Sequence, residues 1–135
     1  MEGLKRLCIE GTNVMLLELP YAPWSNFEYN AVADLCFNKG FEIVLAHYER
    51  FAEFQKGNSI YEDMLKLPVK VQINAESLLP IFGRKRWLDM FDNGAASLLG
   101  SDCHDLSSRP ANLAKGRERF LKKAIGWLVV QIMWI

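Results

Sequence analysis

The chain has 135 residues, half of them apolar, which suits one domain with a real core. Basic and acidic side chains number 16 each, so no positive field exists to hold nucleic acid. Cys8, Cys36 and Cys103 are odd in number and show no C-x-x-C spacing, which excludes a disulfide framework or zinc knuckle and suits a reducing cytoplasm.

Lys5 and Arg6 resemble the start of a signal peptide, but Glu10 and Glu18 interrupt the apolar run that should follow. Residues 13–19 read as a buried strand, with Val14 to Leu17 continuously apolar. Ser25 then opens a helix, and Glu28 three residues on completes a capping box. Lys39-Gly40 stops it, because glycine tolerates the left-handed cap conformation. Residues 41–46 form the second strand. Ser59 opens a further helix, with a second capping box to Glu62, and Pro68 ends it. Residues 69–73 form the third strand, 84–91 a helix, Asn93-Gly94 a turn and 96–100 the fourth strand. Pro110 starts a last helix. The apolar run 124–135 falls short of the ~20 residues needed to span a bilayer and reads as a buried helix or strand. Trp24, Trp87, Trp127, Trp134, Met15, Met64 and Met90 read as packing residues, and residues 84–86 as a solvated basic helix face.

Four strands separated by helices predict an α/β fold of parallel units. Each strand then ends on a polar group: Glu18, then His47 with Glu49 and Arg50, then Asn74, then Ser101-Asp102-Cys103-His104. Parallel β/α folds build their sites on that rim. Carboxylates and neutral imidazoles are ligands for divalent metals, and Asp102 and His104, two apart on extended backbone, face the same way. Arg50 and Arg109 suit two-point grip on phosphate. Ligands with arginines point to phosphate ester hydrolysis. Taken singly, each has a plainer reading: Glu18 a solvated strand end, His47 a hydrogen-bonded rim histidine, Asp102 or Asn74 a turn former, the arginines surface charges. Their joint placement favours a site.

Four segments carry a family resemblance. Val-Leu-Ala-His-Tyr-Glu-Arg-Phe at 44–51 resembles "LAHPERY" of the CpsB/CapC tyrosine-protein phosphatases, of the PHP (polymerase and histidinol phosphatase) type. Gln-Ile-Asn-Ala-Glu-Ser-Leu-Leu at 72–79 resembles "QINAGSLLG", residues 99–110 resemble "ASDAHNLTSRP", and residues 14–20 resemble the strand ending in "ELP". The resemblance implies a distorted (β/α)7 barrel holding up to three metals, manganese first, with iron, zinc or magnesium as alternatives. It implies hydrolysis of phosphotyrosine on a partner tyrosine kinase that controls capsule or exopolysaccharide synthesis. By position, Glu18, His47, Asp102 and His104 would be metal ligands, and Arg50 and Arg109 would bind phosphate or stabilise transition-state charge.

The chain also departs from the family pattern. His47 and His104 are its only histidines, so the family's opening His-x-His strand has no counterpart, which leads to the expectation of a partial barrel of about four units in one domain, truncated at its N-terminus. Tyr48 replaces a proline, and Glu76 and Pro80 each replace a glycine. Two other readings stay open. Cys103 to Arg109 fits the C-x5-R spacing of cysteine phosphatases, although the loop lacks glycine and Pro110 follows the arginine. A non-catalytic remnant or phospho-partner-binding module, with free strand edges that favour a homodimer, is the other.

Overall fold

The computed structural model describes residues 2–100 and 130–132. The chain divides into two compact units, Met1–Lys70 and Val71–Ile135.

In the first unit, α1 (Glu2–Lys5) leads through a bridge between Cys8 and Met15 into β1 (Val14–Leu17). β1 pairs in parallel with β2 (Glu42–Leu45), Val14 opposite Glu42 and Leu17 opposite Leu45. A parallel pair needs a crossover, and α2 (Asn26–Phe37) supplies it, packing on β2. Its start is as expected: the Phe27 N–H donates to Ser25 Oγ at 3.1 Å, and the Ser25 N–H donates to Glu28 Oε2 at 2.7 Å. Gly40, at φ 70°, turns the chain into β2. Ile43, Val44 and Leu45 are all buried, as a parallel strand covered on both faces requires. Each such side chain contributes about 1.5–3 kcal/mol by leaving water.

β2 runs into a 3₁₀ helix, Tyr48–Phe54, that side-chain periodicity does not announce. α3 (Ser59–Met64) follows and packs against α2. Here the expected cap is corrected: Asn58, not Ser59, is the N-cap, its side-chain oxygen accepting from the Ile60 N–H at 3.1 Å. Asn58 is preset for this role because its Nδ2 donates to Trp24 O at 2.8 Å and to Gln55 Oε1 at 2.9 Å.

In the second unit, β3 (Lys70–Asn74) pairs in parallel with β4 (Leu98–Gly100), and β4 with β5 (Val130–Ile132). The apolar C-terminal run therefore supplies a strand, one more than the four expected. After β3 a 3₁₀ helix, Ala75–Leu78, packs against α4 (Arg84–Asp92). The basic cluster at the start of α4 is only partly a solvated face: Lys85 is exposed, Arg84 is half-buried, and the Arg86 guanidinium lies 4.7 Å from the Trp87 ring. Gly100 allows a close approach, since the Gln72 side chain lies where its Cβ would be, 1.8 Å from Nε2. Met15, Met64, Met90 and Trp24 are buried, as their packing reading requires. Trp127, Trp134 and the helix expected after Pro110 lie outside the described residues. No described helix is long and apolar enough to cross a membrane.

Candidate functional site

The β1–β2 register fixes what meets at the strand ends. With Leu17 opposite Leu45, Glu18 and His47 leave the sheet at the same end, and the Ala46 N–H still donates to Leu17 O at 3.0 Å. His47 Nε2 lies 3.2 Å from Glu18 Oε1, with the His47 side chain 5% exposed and that of Glu18 53%. His47 also has left-handed backbone, φ 32° and ψ 55°. For a residue with a Cβ this costs roughly 1–2 kcal/mol. Packing around the 3₁₀ helix holds it there, and the Arg50 N–H donates to His47 O at 3.0 Å. Such strain gathers at sites where geometry matters more than stability.

Aromatic rings surround the imidazole. The Tyr21 ring lies 6.1 Å from it at an interplanar angle of 10°, and Phe51 lies 5.4 Å from it. Tyr21 in turn packs on Phe51 at 4.9 Å and meets Phe54 edge-on at 6.0 Å. Tyr21 is 48% exposed, and Glu18 and Arg50 both act on its hydroxyl. Burial and the Glu18 carboxylate push the phenol up from its ordinary value, with Arg50 acting in the opposite sense, so the hydroxyl keeps its proton at neutral pH. The loop that carries Tyr21 is tied from a distance: the Trp24 N–H donates to Gln55 Oε1 at 3.0 Å, and Gln55 Nε2 donates to Ala22 O at 2.8 Å.

Of the residues expected on the rim, the first unit brings together Glu18, His47 and Arg50. Asn74, in the second unit, is buried and accepts from Gln72 Nε2 at 2.8 Å, so it belongs to an internal polar pair and is more than a turn former. Asp102, His104, Arg109 and Cys103 lie outside the described residues. Sequence reasoning missed Tyr21, Gln55 and the left-handed histidine. The only signal for Tyr21 was its place three residues after Glu18, between Pro20 and Pro23.

Among the described residues no three His, Cys, Asp or Glu side chains form a cluster able to hold a metal. The pair that is present does suit one. Two donors each about 2.0–2.1 Å from a single ion stand roughly 3–3.4 Å apart, and the imidazole nitrogen and carboxylate oxygen are 3.2 Å apart.

Parallel strands crossed over by a helix, with a buried imidazole and a carboxylate meeting at their ends, define an α/β protein with a polar rim site. The family model described as "Capsular polysaccharide synthesis, CpsB/CapC" matches residues 1–134, and the chain belongs to that family. Comparison with curated proteins gives no match. The fold is similar to a solved chain from "Crystal structures of YwqE from Bacillus subtilis and CpsB from Streptococcus pneumoniae, unique metal-dependent tyrosine phosphatases". The TM-score is 0.75 at 23% identity, over 90% of this chain and 51% of that one. The chain thus spans about half the length of the structure it matches.

Proposed function

We propose that the chain is a metal-dependent phosphoesterase that removes phosphate from tyrosine side chains of a protein, in the control of capsule or exopolysaccharide synthesis. The observation that carries this reading is the His47–Glu18 pair at 3.2 Å, with Arg50 following in the same turn. Family membership supports it, as does the fold shared with proteins described as metal-dependent tyrosine phosphatases. In this reading the two units are parts of one PHP-type barrel domain. Glu18, His47, Asp102 and His104 hold a divalent ion, manganese first, and Arg50 and Arg109 hold phosphate. A bacterial tyrosine kinase is the phosphorylated partner.

The bound ion would supply polarisation of a phosphoryl oxygen and a water acidified towards neutral pH. The protein's own contribution is placement. Burial and the strained backbone leave the His47 imidazole little freedom to turn. Arg50 offers a planar, permanently charged fork to phosphate oxygens, suited to charge that grows towards the transition state. The rings of Tyr21 and Phe51 lie against the imidazole, whose side chain is 5% exposed, and burial of that degree strengthens electrostatic contacts there.

The test is hydrolysis of p-nitrophenyl phosphate by the purified chain with Mn²⁺ and then with EDTA. Turnover that requires metal and stops with chelator is the expected result. Absence of turnover with every divalent metal tried would overturn the enzymatic reading and leave a phosphate-facing rim without catalysis.

A further inference from the structure

The loop at 79–83 joins the 3₁₀ helix after β3 to α4 and holds two apolar side chains out into water. Ile81 is 74% exposed and Phe82 92%, the highest value among the large apolar side chains described. Pro80 fixes the backbone on one side of them, and Gly83 turns it on the other at φ 87°. A phenyl ring left in water contributes nothing to the core, so its display points outward, to a partner with an apolar phase.

Cations follow at once. Between Ser77 and Leu88 the sequence carries Arg84, Lys85 and Arg86 and no carboxylate. Lys85 and Arg86 are exposed. Helix stability does not account for them, because α4 has no acidic residue in its first turn and no basic one in its last, against the macrodipole at both ends. The exposed Lys85–Asp89 pair at 2.6 Å adds little. Protruding apolar side chains bordered by cations match the boundary of an acidic bilayer, where apolar chains lie beneath anionic headgroups. A twofold contact with a second copy would set these cations against one another. A groove for a peptide is concave, whereas a ring 92% exposed stands clear of its own protein.

We propose that residues 80–86 form a contact surface for an anionic lipid bilayer. Ile81 and Phe82 enter the boundary of headgroups and acyl chains, and Lys85 and Arg86 hold acidic headgroups. This surface does not depend on the function proposed above.

The test is co-sedimentation of the purified chain with vesicles of phosphatidylcholine alone and of phosphatidylcholine mixed with phosphatidylserine. The chain should pellet with the mixed vesicles, and high salt should release it. Ile81→Ser joined with Phe82→Ser should weaken that binding about tenfold or more, and so should Lys85→Gln joined with Arg86→Gln. Thermal midpoints should stay near wild type, since all four side chains are exposed. Lys56→Gln joined with Lys66→Gln removes the same charge from exposed positions elsewhere and should leave binding unchanged. Equal loss from that pair would show that overall charge drives binding and would overturn the surface. So would failure to pellet with the mixed vesicles, or equal pelleting with phosphatidylcholine alone. A dimer in sedimentation velocity that Phe82→Ser dissolves would give the loop to a second copy instead.

Discussion

Tyr48 and Tyr61 hold each other by both ends. Their rings stack at 4.4 Å with an interplanar angle of 9°, the Tyr61 hydroxyl donates to Tyr48 O at 3.0 Å, and the Tyr48 hydroxyl donates to Tyr61 O. The pair fastens the 3₁₀ helix to α3 at the residue next to His47, and both side chains are buried. Tyr61→Phe should therefore cost about 1–3 kcal/mol, the range for a buried hydrogen bond lost with its acceptor desolvated. Urea unfolding of the two single variants and the double variant should show non-additive losses. A strictly additive result would mean that the two hydroxyls work independently.

Gly100 and Gln72 make a second coupled pair. A methyl group at position 100 displaces the Gln72 amide, which is fully buried and donates to Asn74 Oδ1 at 2.8 Å. Gly100→Ala should destabilise by about 1–3 kcal/mol, the usual cost of overpacking a core. Joined with Gln72→Ala, the loss should fall short of the two single losses summed. Full additivity in thermal melts would show that Gln72 has room to move aside.

The left-handed backbone at His47 separates conformation from chemistry. Asparagine tolerates that region better than most residues with a Cβ, so His47→Asn should fold with a stability change of about 1 kcal/mol. It removes the imidazole nitrogen that faces Glu18, and under the proposed function metal-dependent turnover should drop at least about a hundredfold. A variant that keeps most of any such activity would remove His47 from the proposed ligand set.

Glu28 yields a pH prediction. Hydrogen bonds from the Ser25 backbone N–H and then from the Ser25 hydroxyl hold its carboxyl below the ordinary value of 4.5. A group depressed in the folded state stabilises the fold above its unfolded value, and that contribution is lost as pH falls through the folded one. Glu28→Gln should accordingly lower the urea midpoint at pH 7 and differ little from wild type at pH 3. Equal differences at both pH values would show that the charge of Glu28 adds nothing to the cap.

The parts of this molecule legible in sequence are those governed by neighbours along the chain. The cap at Ser25 and Glu28 is a local pattern, and the apolar run from Val14 to Leu17 suffices to announce a parallel strand. The meeting of Glu18 with His47 was readable because strand ends in such folds converge. Asn58 overrode Ser59 as a cap through contacts with Trp24 and Gln55, which no local window contains. The backbone at His47 was hidden for a similar reason. Left-handed positions usually show themselves as glycine or asparagine, and here packing of Tyr48 and Phe51 imposes the turn on a histidine. Nothing local singles out Tyr21, because Phe51, on which its ring packs, comes from a distant segment.

Gln55 gives the molecule a vulnerability that a catalogue of rim residues would not contain. Its one amide group holds Trp24 and Ala22, and so anchors the loop on which Tyr21 is displayed, across more than thirty residues of chain. A natural variant at this position would keep every candidate rim residue in its sequence. Its defect would be a loop no longer set in shape before a ligand arrives, so the cost of ordering it would fall on each binding event. Among related chains, inheritance of the site should therefore be judged by whether this buried amide travels with it as much as by the charged residues themselves.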